Sequence, residues 1–347
     1  MTFLTTPLMI YAMNWREIDL PSRVVLRPGL VDDLPHVIES LGYDRPVYIV
    51  DRFTEEHFLP ERARACKAPA ATIDVAEHAA SCVAGADVVV GIGGGKNIDI
   101  AKYVGWKTRI PVVSVPTIPS HDGIASPMIS LSDSGKPYSQ YFRPPHYVLV
   151  DPDVLVNAPD RFVRAGFGDV IGKYTSVYDW WIAHVDVGEY FGRYSASLAY
   201  LTFRHVVRAR RAIARKTYEG INVLVEALVT NGIVMGIQHS SRPASGSEHL
   251  ISHALDYLRG KKGMHGLQVG VGTIVASYFQ GRDWERVRKF LEDVGAPVTA
   301  EELGVPEDMM IKAVAIARTL RDRYTILHRL GVGEDLARQA LKATEVI

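Results

Sequence analysis

Histidine and aspartate side chains in the second half of the chain are spaced so that they could bind a metal ion. His249 and His253 are four residues apart on a predicted helix, which places them on one face. His265 follows a glycine-rich turn, and Asp169 lies between glycines inside an otherwise apolar predicted helix. A carboxylate in such surroundings must be paired, because burying it alone carries a large desolvation cost.

A divalent cation held by Asp169, His249 and His265 would remove that cost. Three nitrogen and oxygen ligands with an open fourth position are typical of a catalytic zinc site. The sequence has no cysteine cluster from which a structural zinc site could be built. Two plainer interpretations stay open at this point, since Asp169 could be a helix N-cap and His253 an ordinary residue on a helix face.

A glycine-rich turn at residues 91–97 is a second candidate site, placed between a predicted strand and a predicted helix. Glycines let backbone N–H groups approach a phosphate, and the helix N-terminus adds partial positive charge. The spacing matches neither a P-loop nor the G-x-G-x-x-G fingerprint, because Lys96 stands where that fingerprint needs glycine. Pyrophosphate binding and a tight turn with several positive φ angles both remain open.

A polar loop follows the next predicted strand, at the edge where ligands bind in open α/β sheets. Thr117, Ser120 and Ser126 offer hydroxyl groups to the phosphate or amide of a cofactor. Asp122 could accept a hydrogen bond from a substrate hydroxyl. A proline-stiffened loop with capping residues is the alternative interpretation.

Two different patterns along the chain predict the elements that must position these residues. Up to residue 151, β-branched runs alternate with helical stretches, which predicts a parallel sheet. The predicted strands are 23–26, 46–51, 71–73, 86–92 and 111–115, the predicted helices are 30–41, 76–83 and 96–106, and 128–131 with 147–150 predict an added hairpin or edge. From residue 152 the predicted helices are 161–183, 195–216, 221–236, 247–258 and 267–278, with four shorter helices in 282–347. We expect an α/β domain at 1–151 and an all-α domain at 152–347.

Composition excludes several classes of protein. The 347 residues carry 39 Lys and Arg against 39 Asp and Glu, a balance that argues against a main role in binding nucleic acid or an anionic membrane. An arginine stripe at 204, 208, 211 and 215 is interpreted as a solvated or salt-bridged helix face. Two cysteines, Cys66 and Cys82, are too few for a disulfide framework and are typical of a reducing compartment.

No feature of the sequence predicts export or membrane insertion. Residues 1–13 lack the basic leading region of a signal peptide. No uninterrupted apolar run approaches the roughly 18 residues that span a bilayer. We therefore expect a soluble, cytoplasmic protein.

Taken together, the stretches 91–102, 115–117, 168–173 and 264–266 resemble the family of metal-dependent polyol dehydrogenases. That family includes glycerol dehydrogenase, the iron-containing alcohol dehydrogenases and, more distantly, dehydroquinate synthase. These stretches occur in the order and at the spacing of the family, and the resemblance covers nearly the whole chain. Segments 117–127 and 241–249 are most similar to the branch that reduces dihydroxyacetone phosphate to sn-glycerol 1-phosphate, the backbone of archaeal-type ether lipids.

The resemblance implies a role for each candidate residue. It implies zinc at Asp169, His249 and His265, and a substrate that faces Asp122, Asp169 and His253, of which Asp122 and His253 would be catalytic. The residues implied to bind NAD(H) or NADP(H) are Gly94, Gly95, Lys96, Asn97, Asp99, Thr117, Ser120 and Ser126. Iron-type members usually carry histidine four residues after the aspartate ligand, and Lys173 at that position favours the three-ligand zinc branch. The resemblance also implies a homo-oligomer.

Some choices stay open within the resemblance. Asp51, at the end of the second predicted strand, could accept a ribose hydroxyl of NADH, whereas its neighbour Arg52 could bind the 2′-phosphate of NADPH. Arg242, His239 and Lys136 are unranked candidates for the substrate phosphate. The alternatives are a glycerol dehydrogenase that acts on unphosphorylated polyols and a dehydroquinate-synthase-like lyase, although that branch generally has Glu in place of Asp169.

Overall fold

Six parallel strands form the main sheet of the first half, in the order β1-β8-β5-β4-β2-β3. The computed structural model describes residues 18–133, 136–260 and 263–347, and within these the side chains of 136–139 are not described. The strands are β1 (Arg23–Leu26), β2 (Pro46–Val50), β3 (Arg64–Lys67), β4 (Val88–Gly93), β5 (Val112–Pro116) and β8 (Tyr147–Val150). The N-terminal stretch 1–13, which was considered as a targeting signal, lies outside the described residues.

Both faces of this sheet are covered, which explains its valine-rich strands. Val47 and Ile49 of β2 enter one apolar cluster, while Tyr48 and Val50 enter another on the opposite face. β4 and β5 are buried along their whole length. The covering helices are α1 (Leu34–Ser40), α2 (Arg52–Phe58), α3 (Ile73–Cys82) and α4 (Gly95–Thr108). Parallel strands that are buried on both sides need such continuous apolar runs.

The order of the strands creates a crevice between β2 and β4. From β2 the chain continues outward to β3, and from β4 it continues in the opposite direction to β5. Ligands bind in α/β sheets at such a switch point, beyond the carboxyl ends of the strands. Asp51 and the glycine-rich turn therefore both lie beside this crevice.

The second half is helical in the described residues, apart from loops. Its helices are α5 (Pro152–Val156), α6 (Asp160–Ile171), α7 (Lys173–Val187), α8 (Arg193–Ala214), α9 (Tyr218–Gln238), α10 (Ser247–Arg259), α11 (His265–Phe279), α12 (Trp284–Asp293), α13 (Glu307–Ile316), α14 (Ile326–Arg329) and α15 (Glu334–Ala343). By length and composition α9 could cross a membrane, but 67% of its apolar window is buried inside the protein, as in a core helix. The predicted fold class, a parallel α/β half followed by a helical half, is confirmed.

Three of the predicted elements are wrong in detail. Residues 71–73 form no strand, because the hydroxyl of Thr72 accepts the N–H of Val75 and caps α3. β8 lies in the main sheet between β1 and β5, whereas the separate hairpin consists of β6 (Met128–Asp133) and β7 (Lys136–Tyr141). The long helix predicted at 161–183 is divided at Gly172 into α6 and α7. The sequence prediction missed α2, β3, β7 and α5.

A disulfide bond joins Cys66 of β3 to Cys82 of α3, with the two Cα atoms 6.2 Å apart. The expectation that so few cysteines indicate reduced thiols is therefore wrong for this structure. The pairing follows from the fold, because α3 packs against the edge of the sheet that β3 forms, and Cys66 is buried in the shared apolar cluster.

Reduction of this disulfide should destabilise the protein. The two cysteines are 16 residues apart, and closing a loop of that length stabilises a fold by about 3 kcal/mol through the entropy of the unfolded chain. Denaturant unfolding with and without dithiothreitol should show a loss up to that size. A Cys66→Ala/Cys82→Ala double variant should be insensitive to dithiothreitol, and an equal response of both proteins would contradict the assignment.

Candidate active site

Three side chains that the sequence placed in one metal site come together from three helices. Asp169 lies in α6, His249 in α10, and His265 is the first residue of α11. One potential ligand atom from each lies within 4.8 Å of the others. The structure brings the predicted carboxylate and two imidazoles to one place, where small side-chain adjustments would let all three bind one ion.

Glycines explain how α6 and α11 bring Asp169 and His265 together. A Cβ atom on Gly168 would lie 2.2 Å from the carbonyl oxygen of Gly266, and one on Gly266 would lie 2.0 Å from that of Ala165. Any larger residue at either position would force the two helices apart. The short motifs Gly168-Asp169 and His265-Gly266 each therefore combine a candidate ligand with the glycine that allows the close crossing.

Hydrogen bonds fix the orientation of both imidazole rings. Nδ1 of His249 lies 2.8 Å from a carboxylate oxygen of Glu248, so this nitrogen carries the proton. Nδ1 of His265 lies 3.2 Å from the hydroxyl of Ser252, which donates its own proton to Gln268. The nitrogen left to bind a metal is then Nε2 in both rings, and such outer partners usually fix metal-binding histidines. Burial opposes the charge of His249, but Asp169 and Glu248 raise its pKa, so binding of a cation would displace a proton from its Nε2.

The ring of His265 is neutral near physiological pH. Burial, and then the adjacent ring of His249, lower the pKa of His265 to about 3. Burial alone would raise the pKa of Asp169, but Lys173 and then His249 hold it well below its usual value. A charged carboxylate and an uncharged imidazole are the protonation states that bind a dication.

Lys173 is fully buried and bridges two carboxylates. Its Nζ lies 3.0 Å from Asp169 Oδ1 and 3.0 Å from Asp122 Oδ2. Burial opposes its charge, but Asp122 and Asp169 hold the pKa of Lys173 above its usual value. Burial, and then Asp169, raise the pKa of Asp122. The backbone N–H of Asp122 also donates to Asp169 at 2.8 Å, so the loop after β5 is tied directly to α6.

Residues from both halves of the chain line one cleft, which has a volume of about 390 Å³. Eight of the predicted site residues line it, namely Gly95, Lys96, Asp99, Asp122, Ser126, His249, His253 and His265. Asp169 is fully buried next to His249, and the ring of His253 lies 6.0 Å from that of His265. The structure thus places the candidate metal ligands and the start of α4 around one cavity.

The glycines of the turn allow neighbouring groups to pack closely against its backbone, and few of them need an unusual backbone angle. Of its glycines, only Gly93 has a positive φ, at 140°. Gly94 is the N-cap of α4, and a Cβ on Gly95 would lie 1.9 Å from the ring of His121. The expectation of several positive φ angles is therefore wrong. The first N–H groups of α4 point out of the helix end beside the β2–β4 crevice, where they could bind a phosphate.

Asp51 and Lys96 form an ion pair across that crevice, with Nζ 3.1 Å from Oδ2. Asp51 also caps α2 by accepting the N–H of Thr54. Burial opposes the charge of Asp51, but the Thr54 N–H and Lys96 hold its pKa below the usual value. Arg52 pairs with Glu56 on the exposed side of α2.

Several residues that the resemblance assigned to the cofactor hold the protein's own backbone. The amide of Asn97 donates to the carbonyl of Ile92 at 2.8 Å, and the backbone N–H of Thr117 donates to Gly93. Asp99 pairs with Lys102 at 2.7 Å and accepts the N–H of Ser130. Asn97, Thr117 and Ser120 are not among the residues that line the cleft. The side chain of Asn97 therefore holds the backbone of β4, and Thr117 and Ser120 lie outside the lining of the cleft.

Two of the three candidates for the substrate phosphate, Arg242 and His239, are engaged by other side chains. The guanidinium of Arg242 forms a two-pronged ion pair with Glu189 and donates to the carbonyl of Tyr324. The ring of His239 stacks on Tyr141, 5.3 Å away, and does not line the cleft. The side chain of Lys136 lies outside the described residues.

Among the cleft residues that the sequence did not predict, His121 and Arg321 carry side chains that could bind a ligand. His121 stands in the loop motif that the resemblance used, and its ring accepts the N–H of Gly123. Its position next to the predicted Asp122 was the available signal. Arg321 lies in a turn before α14, far along the chain from every motif, so the sequence offered no signal for it.

Comparisons with known proteins agree with this geometry. Residues 25–159 match the model of a family described as iron-containing alcohol dehydrogenase. The chain is 40% identical over 345 residues to the glycerol-1-phosphate dehydrogenase (NAD(P)+) of Hyperthermus butylicus, covering 95% of this chain and 99% of that protein. It is 42% identical over 349 residues to the enzyme of the same name from Aeropyrum pernix, with coverage of 96% and 99%.

A solved structure shares the fold. The crystal structure of a probable glycerol dehydrogenase from Sinorhizobium meliloti aligns with a TM-score of 0.79 at 22% identity, covering 95% of this chain and 98% of that one. At that identity the likeness shows the fold alone.

Replacing Lys173 with Met should strongly destabilise the metal-free protein. The variant leaves Asp122 and Asp169 buried without their shared cation, and breaking a buried ion pair on one side costs about 3–5 kcal/mol. Denaturant unfolding in the presence of a chelator measures this loss. Lys107→Met is the matched control, because the partly exposed pair of Lys107 with Glu77 should contribute less than about 1 kcal/mol. Equal losses in both variants would contradict the role of Lys173.

Proposed function

The chain belongs to the family of glycerol-1-phosphate dehydrogenases, and we propose that it catalyses the reversible, NAD(P)-dependent reduction of dihydroxyacetone phosphate to sn-glycerol 1-phosphate. This membership confirms the polyol dehydrogenase resemblance found in the sequence. The observation that carries the proposal is the cleft in which Asp169, His249 and His265 meet the start of α4. The product, sn-glycerol 1-phosphate, would serve the biosynthesis of ether-type phospholipids.

The metal of the proposed reaction is zinc. One carboxylate and two imidazoles that can bind through Nε2 form a set of donors suited to Zn²⁺, and the cleft leaves a further position open to substrate. When bound, the dication supplies a Lewis acid that polarises the ketone oxygen and stabilises the negative charge that develops there. Glu248 and Ser252 hold the two rings in the orientation that this site needs.

NADH or NADPH would lie across the β2–β4 crevice and supply the hydride. The N–H groups of Gly94, Gly95 and Lys96 would hold the pyrophosphate at the start of α4. The ion pair between Asp51 and Lys96 keeps the lysine ammonium at this edge, and Asp51 could accept a ribose hydroxyl. Ser126 and Asp99 line the same cleft and would add contacts.

Asp122 and His253 would act on the substrate. Asp122 reaches the cleft while Lys173 holds its carboxylate, so it would orient a substrate hydroxyl by accepting a hydrogen bond. Burial, and then Arg321, hold the pKa of His253 well below its usual value, so its ring is neutral and keeps one N–H. That N–H would donate a hydrogen bond to the substrate oxygen. The ring would relay a proton to that oxygen by taking one up from solvent at its other nitrogen as it gives one away.

We place the boundary between an NAD(P)-binding domain and a metal- and substrate-binding domain at residues 151 and 152, where β8 gives way to α5. We propose a cytoplasmic homo-oligomer without membrane insertion, with a small molecule as its substrate and no nucleic-acid partner.

Substrate comparison separates the proposal from its rivals. The purified protein should oxidise NAD(P)H with dihydroxyacetone phosphate, and the product should have the sn-1 configuration. A higher kcat/KM on unphosphorylated dihydroxyacetone would instead favour a glycerol dehydrogenase. Turnover of a substrate without net change of NAD(P)H would favour a dehydroquinate-synthase-like lyase.

Replacing His249 with Ala should abolish both metal retention and turnover, because the variant removes one of three ligands. Metal analysis after gel filtration should fall from about one zinc per chain to nearly none, and kcat should fall by at least about 1,000-fold. His205→Ala, on an exposed part of α8, is the control and should retain both properties. A metal-free His249→Ala protein with full activity would overturn the zinc proposal.

A further inference from the structure

Arg242, Arg321 and Arg323 lie close enough for their charges to repel one another, and they are unequally paired. Arg242 has a carboxylate partner in Glu189. Arg323 donates to the carbonyl of Ser245 at 2.5 Å and to the hydroxyl of Ser241 at 2.6 Å. Within the described residues neither Arg323 nor Arg321 has a carboxylate partner. The group therefore carries more positive charge than its neighbours neutralise.

Arg321 is the member of this group that lines the cleft. Throughout residues 18–133, 136–260 and 263–347, the structure gives its guanidinium no hydrogen bond and no ion pair. The side chain of Arg321 is partly buried, and this burial lowers the pKa of its guanidinium. A partly buried guanidinium with five unused donors raises the free energy of the folded protein unless a ligand supplies the acceptors.

The surroundings of Arg321 favour a binding site for an anion close to the candidate metal ligands. Arg321 lines the same cleft as His253, and after burial its charge is the main cause of the low pKa of that ring. Ser241 and Ser245 line the same cleft. Because the oxygen of Ser241 accepts a hydrogen bond from Arg323, its own proton is available to another acceptor. Guanidinium and hydroxyl donors at one place fit a phosphate group.

We propose that Arg321 binds the phosphate group of the substrate and thereby selects phosphorylated over unphosphorylated ketones. This inference rests on the proposed function. The position suits the substrate, because Arg321 lies near His253, which would face the reacting oxygen, while the cofactor's pyrophosphate would lie at Gly94 and Gly95. The guanidinium fork can form two parallel hydrogen bonds to phosphate oxygens, which a ketone hydroxyl cannot match.

An Arg321→Met variant tests this role in the full-length, zinc-loaded protein. The kcat/KM for dihydroxyacetone phosphate should fall by about 100-fold, mostly through KM, because a charge-assisted contact to the bound substrate is lost. The kcat/KM for dihydroxyacetone, measured at about pH 8 where even an ordinary histidine is neutral, should change by less than about 3-fold, since that substrate has no phosphate. Arg321→Lys should restore part of the loss, because it keeps the charge without the fork.

Inorganic phosphate is an independent probe of the same site. It should inhibit the wild-type protein in competition with dihydroxyacetone phosphate, and the inhibition constant should rise in Arg321→Met. Arg208→Met, on the exposed face of α8, is the matched control and should behave as wild type in both measurements. Zinc content and NADH binding, followed by fluorescence, should be unchanged in Arg321→Met, which separates loss of the subsite from misfolding.

Specific outcomes would overturn the inference. The Arg321→Met variant could lose activity on both ketones equally, keep its preference for the phosphorylated one, or lose affinity for NADPH alone. Each of these results would assign Arg321 another role while leaving the proposed function intact. If the wild-type protein itself preferred dihydroxyacetone, the proposed function would fail first, and this inference would fail with it.

Discussion

The site depends on the close crossing of α6 and α11, which only glycine permits. Because Gly168 and Gly266 leave no space between the two backbones, Asp169 is fully buried and directed toward His265. A carboxylate in that position requires compensation. The protein supplies it from three directions, through the ammonium of Lys173, the ring of His249 and the backbone N–H of Asp122. The packing of two helices thus dictates the electrostatics around them.

The same compensation joins the two halves of the chain. Lys173 belongs to α7, and Asp122 belongs to the loop that leaves β5 at the carboxyl edge of the sheet. This loop is held from its other side by Lys102 of α4, which donates to the carbonyl groups of Gly123 and Ser126. The buried lysines therefore set the position of the candidate metal ligands relative to the turn where a cofactor's pyrophosphate would bind.

Local patterns predicted most of the fold, and motifs predicted the centre of the site. β4 and α4 were visible because a buried parallel strand and the helix after it have strong periodicities. The place of β8 between β1 and β5 was not visible, because pairing between distant strands leaves no local signal. The disulfide was missed for a similar reason, since only the packing of α3 on β3 brings Cys82 to Cys66. Arg321 was missed because a lone arginine in a turn carries no pattern.

Overall neutrality of the chain conceals a strongly uneven distribution of charge. Around the candidate metal site, Asp122 and Asp169 share the single buried ammonium of Lys173, so negative charge is in excess until a dication binds. A short distance away, near His253, Arg321 has no carboxylate partner among the described residues. A cleft with this division attracts a cation to one place and an anion to the other. A ketone that carries a phosphate group suits both, because its carbonyl oxygen can face the cation while its phosphate reaches the arginine.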